Sequence, residues 1–161
     1  TFRFLSYAVW LEAAQPESDL ALAARTPEES LVLFTDCRDL LFVGDPFAAL
    51  RSLRAKAPQA CASACVFEEH AAVRISDIMP TRAWVAAFGD DFSASAQAKT
   101  VVINAGVIAA TLTGAKRFLQ SFREWLLTYR HTGVNDQGLI AFMASQAAAD
   151  ERRGAPELSS V

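Results

Sequence analysis

The sequence predicts an α/β domain, and three observations carry that expectation. Short apolar runs of strand length lie at Leu31–Phe34, Ala60–Phe67 and Thr100–Ile103, bounded by polar residues or by Asn and Gly. Amphipathic helical periodicity is clearest between Leu112 and Arg130, with Ala115, Phe118, Leu119, Phe122, Leu126 and Tyr129 on one face and Lys116, Arg117, Arg123 and Glu124 on the other. The first run stops abruptly at Asp36 and Asp39, resumes, and ends in Asp45-Pro46, a helix-start signal. In open α/β sheets, ligands bind beyond the carboxyl ends of strands, so the two aspartates stand where a ligand would be.

The remaining elements follow in chain order. From Phe2 to Ala14, the apolar positions Phe4, Leu5, Ala8, Val9, Leu11 and Ala13 fit a helix with a broad buried face, ended by Gln15-Pro16. Asp19 to Arg25 reads as weak helix or loop, and Thr26-Pro27-Glu28-Glu29 as a turn or a single helical turn before the first strand. Asp45 is a good N-cap for a helix with the stripe Phe47, Leu50 and Leu53, and Arg51, Arg54 and Lys56 are expected on its solvated face. Pro58 ends it. In the run from Ala60 to Phe67, alternation places Cys61, Ser63 and Cys65 on one face, and Glu68-Glu69-His70 follows. If that strand is parallel to the first, these acids share an edge with Asp36.

Arg74 to Pro80 reads as a loop, Thr81 to Phe88 as a short helix turning Phe88 to the core, and Gly89-Asp90-Asp91 as a turn. Asn104-Ala105-Gly106 between apolar runs signals a bulge or turn, and glycine there lets the backbone approach a ligand closely; a plain hairpin is the alternative. Asn135-Asp136-Gln137 opens a last helix running to about Ala147, with Asp136 suited to the positive helix end. The expected organisation is one domain over 1–147 and a frayed tail over 148–161.

Composition narrows the function. A chain of 161 residues, 52% hydrophobic and 20% charged, is large enough to bury one core. A net charge of −3 offers no broad basic footprint and argues against nucleic acid as a partner. Three cysteines leave at least one unpaired, and no Cys/His spacing resembles a zinc site. The first residues have neither a basic leader with an apolar core nor a membrane-spanning length. The chain begins with Thr, however, so the compartment stays open.

Two aspartates at a strand end suit a hard divalent cation such as Mg²⁺ or Mn²⁺, which takes one or two carboxylates while substrate phosphates fill other positions. The plainer alternative is that Asp36 caps a turn and Asp39 pairs with a surface cation. A dehalogenase-type phosphatase also has a strand ending in Asp, but it needs a second Asp where this chain has Arg38.

Asp36-Cys37-Arg38-Asp39-Leu40-Leu41-Phe42 followed by Asp45-Pro46-Phe47 resembles the Asp-x-Arg-Asp form of the Asp-x-Asp metal motif in a family of nucleotide-sugar glycosyltransferase-like proteins. The order of Glu68 or Glu69, Trp84 with Phe88-Gly89, Asn104-Ala105-Gly106-Val107 and Asp136-Gln137 extends the resemblance from about Arg3 to Met143.

The resemblance implies a GT-A-like (Rossmann-like) α/β fold with a mainly parallel sheet flanked by helices. It implies metal-dependent transfer of a hexosyl or pentosyl group from a UDP- or GDP-sugar to a glycan or protein acceptor. Asp36 and Asp39 would bind Mn²⁺ or Mg²⁺. Asp36, Arg38, Asn104, Gly106 and Gln137 would meet the nucleotide sugar, and Asp136 and Glu69 would serve catalysis.

Departures from the family's pattern support a second class, a non-catalytic glycosyltransferase-like binding domain or a truncated relative. Val43 stands where the family has Gln, Ala110 where it has Gly, and Ala141 where Asn is frequent. No N-terminal strand that would grip the nucleotide base is evident, and neither is a C-terminal metal-binding His.

Overall fold

Alternate residues of three strands face opposite helix layers in the computed structural model, which describes residues 2–13, 30–35, 42–57, 64–68, 88 and 103–152. In chain order the described elements are α1 (Phe2–Ala13), β1 (Leu31–Thr35), α2 (Pro46–Lys56), β2 (Cys65–Glu68), β3 (Ile103–Thr111), α3 (Leu112–Tyr129) and α4 (Asp136–Arg152). Val32 and Phe34 of β1, Val66 of β2, and Ile108 and Ala110 of β3 turn to one face. There they meet Phe4 and Leu11 of α1, Phe118 and Phe122 of α3, and Leu139 and Phe142 of α4. Leu31, Leu33, Cys65, Phe67 and Ala109 turn to the other face and meet Phe47, Leu50 and Leu53 of α2. The period of two along each strand thus feeds two cores, giving helix, sheet and helix layers.

The sheet order is β1-β3-β2. β3 pairs antiparallel with both neighbours, bringing Leu33, Ala109 and Cys65 into one row and Phe34, Ile108 and Val66 into the next. The described sheet is therefore antiparallel in both its ladders, and the mainly parallel sheet that the resemblance implies is not what these residues form. β1 and β2 do run in the same direction, but β3 lies between them. Local apolar pattern marks a strand without specifying its neighbour, and that choice is made by distant pairing.

Helix ends obey local rules. Asp45 caps α2, its Oδ1 accepting from the Phe47 amide at 2.9 Å, with Pro46 at the first position. Ala57, at φ −136°, ψ 86°, has left the helical region, which the following proline disfavours, and α2 stops there. Thr111 ends β3 and caps α3, its Oγ1 accepting from the Gly114 amide at 3.0 Å. The amide of Leu112 also donates to the Ser30 carbonyl at 2.8 Å, tying the start of β1 to this strand–helix junction. Gly133, at φ +73°, takes the left-handed conformation that turns the chain from α3 towards α4.

Burial refines several expectations. Phe4 and Leu11 are buried as expected, but Val9 is 66% exposed. At 3.6 residues per turn, Val9 points roughly 140° away from Phe4, off the stripe that Ala8 and Leu11 share with it. Arg54 is half-buried rather than solvated, whereas Arg51 is exposed and pairs with Asp45 at 3.0 Å. Gly138 to Met143 of α4 are all buried, so this turn and a half is enclosed on every side. The helix continues to Arg152, past the expected end near Ala147. Cys65, fully buried beside Ala109, is disulfide-bonded. The other cysteines, Cys37 and Cys61, lie outside the described residues.

Candidate functional site

Because β1 and β2 point the same way, both leave the sheet at one edge, where β3 enters it. β1 ends with Thr35 paired to Val107, and β2 ends with Glu68 paired to Ile103. At this edge the β2–β3 ladder breaks register. Val66 pairs with Ile108 but the next residue, Phe67, pairs with Asn104, so Ala105, Gly106 and Val107 fall between two consecutive β2 positions. A bulge of this kind bends the strand and raises its local twist, and bulges are over-represented beside active sites.

The expected Asn-Gly feature is thus an irregularity inside one continuous strand, Ile103–Thr111, and not a hairpin. Asn104 is held through its backbone pairing with Phe67, and Gly106 is half-buried within the bulge.

The acidic residues singled out in the sequence follow directly from these strand ends. Asp36 is the residue after Thr35, and Glu69 the residue after Glu68. Asp36, Arg38, Asp39 and Glu69 themselves lie outside the described residues, as do Trp84 and Gly89. Phe88 is buried, as expected of its core role. Among the described residues no three of His, Cys, Asp and Glu come together as a metal site.

Asp136 and Gln137 occupy the first turn of α4, both half-buried. The cap belongs to the preceding residue. Asn135 Oδ1 accepts from the Gly138 amide at 2.8 Å, and its carbonyl accepts from the Leu139 amide at 3.0 Å. Asp136 Oδ1 accepts from the Gln137 amide at 3.0 Å, so the carboxylate lies against the amides that open the helix, where negative charge is favoured.

One residue next to the edge carries no motif. Tyr7 of α1 stacks on Phe34, ring centroids 4.9 Å apart at 24°, and its hydroxyl donates to the Thr35 carbonyl at 3.2 Å. Its only trace in the sequence is a tyrosine on the apolar side of a helix, whose hydroxyl needs a partner when the ring is covered. A separate groove of roughly 670 Å³ runs between α1 and α3, lined by Ala8, Leu11, Lys116, Leu119, Gln120, Arg123, Glu124 and Leu127. None of the sequence-predicted site residues lines it.

No helix among the described residues is long and apolar enough to cross a membrane. No protein-family model, curated protein or solved structure matches the chain.

Proposed function

We propose that this chain is a metal-dependent glycosyltransferase domain, or a fragment of one, transferring a sugar from a nucleotide-diphosphate donor to an acceptor hydroxyl. The observation that carries the reading is the shared edge. The strands preceding Asp36 and Glu69 end together, beside the bulge that holds Gly106. The scaffold is α/β, with β3 running opposite to the two strands it separates, and the likeness to the glycosyltransferase family is carried by the sequence motifs.

Asp36 and Asp39 would hold Mn²⁺ or Mg²⁺, since paired carboxylates are the oxygen donors such cations take. When bound, the cation would supply positive charge to the departing nucleotide diphosphate. Arg38, Asn104, Gly106 and Gln137 would line the donor. If the anomeric centre inverts, Asp136 or Glu69 would take the proton of the acceptor hydroxyl.

A second reading, a non-catalytic relative that binds a glycan or a partner protein, is favoured by Val43. This residue is 96% exposed where the family carries a polar Gln.

A thermal-shift titration with UDP and GDP, each with Mn²⁺ and with EDTA, on the chain and on Asp39→Ala, separates the two readings. A ligand at a hundredfold its dissociation constant stabilises by about 2.7 kcal/mol, moving the midpoint by roughly 5 to 11 °C for a chain of this size. A nucleotide shift that requires Mn²⁺ and disappears in Asp39→Ala supports a working donor site. No shift with either nucleotide favours the non-catalytic relative.

A further inference from the structure

We propose that Tyr7 is a positioning residue for the aspartate segment, acting through the last peptide unit of β1; its bearing on donor binding rests on the glycosyltransferase reading. The carbonyl that Tyr7 binds, that of Thr35, belongs to the same planar amide as the nitrogen of Asp36. Fixing that oxygen fixes the plane from which Asp36 departs.

Tyr7 holds this point twice. Its ring lies on Phe34, itself only 6% exposed, while its hydroxyl reaches one residue further along β1 to the carbonyl oxygen. Phe4, one turn earlier on α1 and 1% exposed, meets the Tyr7 ring edge-on at 5.8 Å, a second aromatic contact on that ring. The other side of Thr35 is set by its pairing with Val107, the β3 residue at which the bulge ends. The end of β1 is therefore clamped between α1 and the bulged strand. Helix α1 thereby gains a role beyond packing.

The hydroxyl bond, at 3.2 Å, is longer than the usual O–H···O range of about 2.5–3.0 Å and is therefore a weak one. Its loss should loosen one segment and leave the fold standing. The test is Tyr7→Phe, which keeps the ring stack and removes only the hydroxyl. Amide hydrogen exchange of the segment 35–39 needs no ligand, and in Tyr7→Phe it should quicken by about two- to tenfold, with exchange in α3 and α4 unchanged.

Calorimetric titration with UDP and Mn²⁺ should show a dissociation constant raised by a comparable factor. Equal exchange of this segment in both proteins overturns the proposal. If the parent chain binds no UDP with Mn²⁺ while the exchange still quickens, the donor-site reading fails and the hold of Tyr7 on the segment stands. Quickened exchange with an unchanged dissociation constant overturns the link to donor binding.

Discussion

Phe88 lies flat against Phe142, the two rings 5° from parallel with centroids 4.4 Å apart. Tyr129 meets both rings edge-on, at 4.8 and 5.5 Å, and Trp125 meets Phe142 edge-on at 5.0 Å. Phe142, on α4, thus joins Phe88 to the Trp125 and Tyr129 rings of α3. Truncating a buried phenylalanine costs about 3–5 kcal/mol, so Phe142→Ala should lose that much in urea denaturation. Phe142→Leu should lose less than half of it. A loss below about 1 kcal/mol in Phe142→Ala would show that the ring cluster does not hold these elements together.

The first turn of α4 sets a structural cap, Asn135, beside the proposed base, Asp136. Asn135→Ala removes the cap to Gly138 and should cost about 0.5–2 kcal/mol. Asp136→Asn keeps an oxygen for the Gln137 amide and removes the charge at the helix start, worth about 0.3–1 kcal/mol. If Asp136 is the base of the proposed transfer, the same change should lower turnover by roughly 10²-fold or more. Denaturation curves and a donor-hydrolysis or transfer assay on both variants read the two effects apart. Equal turnover in Asp136→Asn and the parent chain would remove Asp136 from the chemistry.

Cys65 is the third case. Its disulfide partner is Cys37 or Cys61, and the two alternatives close loops of very different length. In the chain-entropy description, Cys65→Ala should cost about 3.6 kcal/mol for a loop from 37 to 65, but only about 2 kcal/mol for one from 61 to 65. Peptide mapping without reductant identifies the partner directly. The bond assigned in that way should match the larger or the smaller loss, and a mismatch would mean that the reduced chain keeps structure of its own.

Much of this architecture was legible before any tertiary contact was known, because it depends on neighbours a few residues apart. Asp45-Pro46 starts a helix since an acid can accept from the amides of the first turn. The stripe of Ala115, Phe118, Leu119 and Phe122 forms a buried face since 3.6 residues complete a turn. Asn104-Ala105-Gly106 interrupts the apolar run, and the β2–β3 ladder shifts register at these residues.

Contacts between distant segments lay beyond that reach. The antiparallel course of β3 between β1 and β2 follows from pairings such as Thr35 with Val107, for which strand composition carries no code. The burial of Leu139 to Met143 on every side reflects what surrounds α4 rather than its own periodicity. The grip of Tyr7 on Thr35 joins residues 28 positions apart, and its geometry exists only once α1 lies against the end of the first strand.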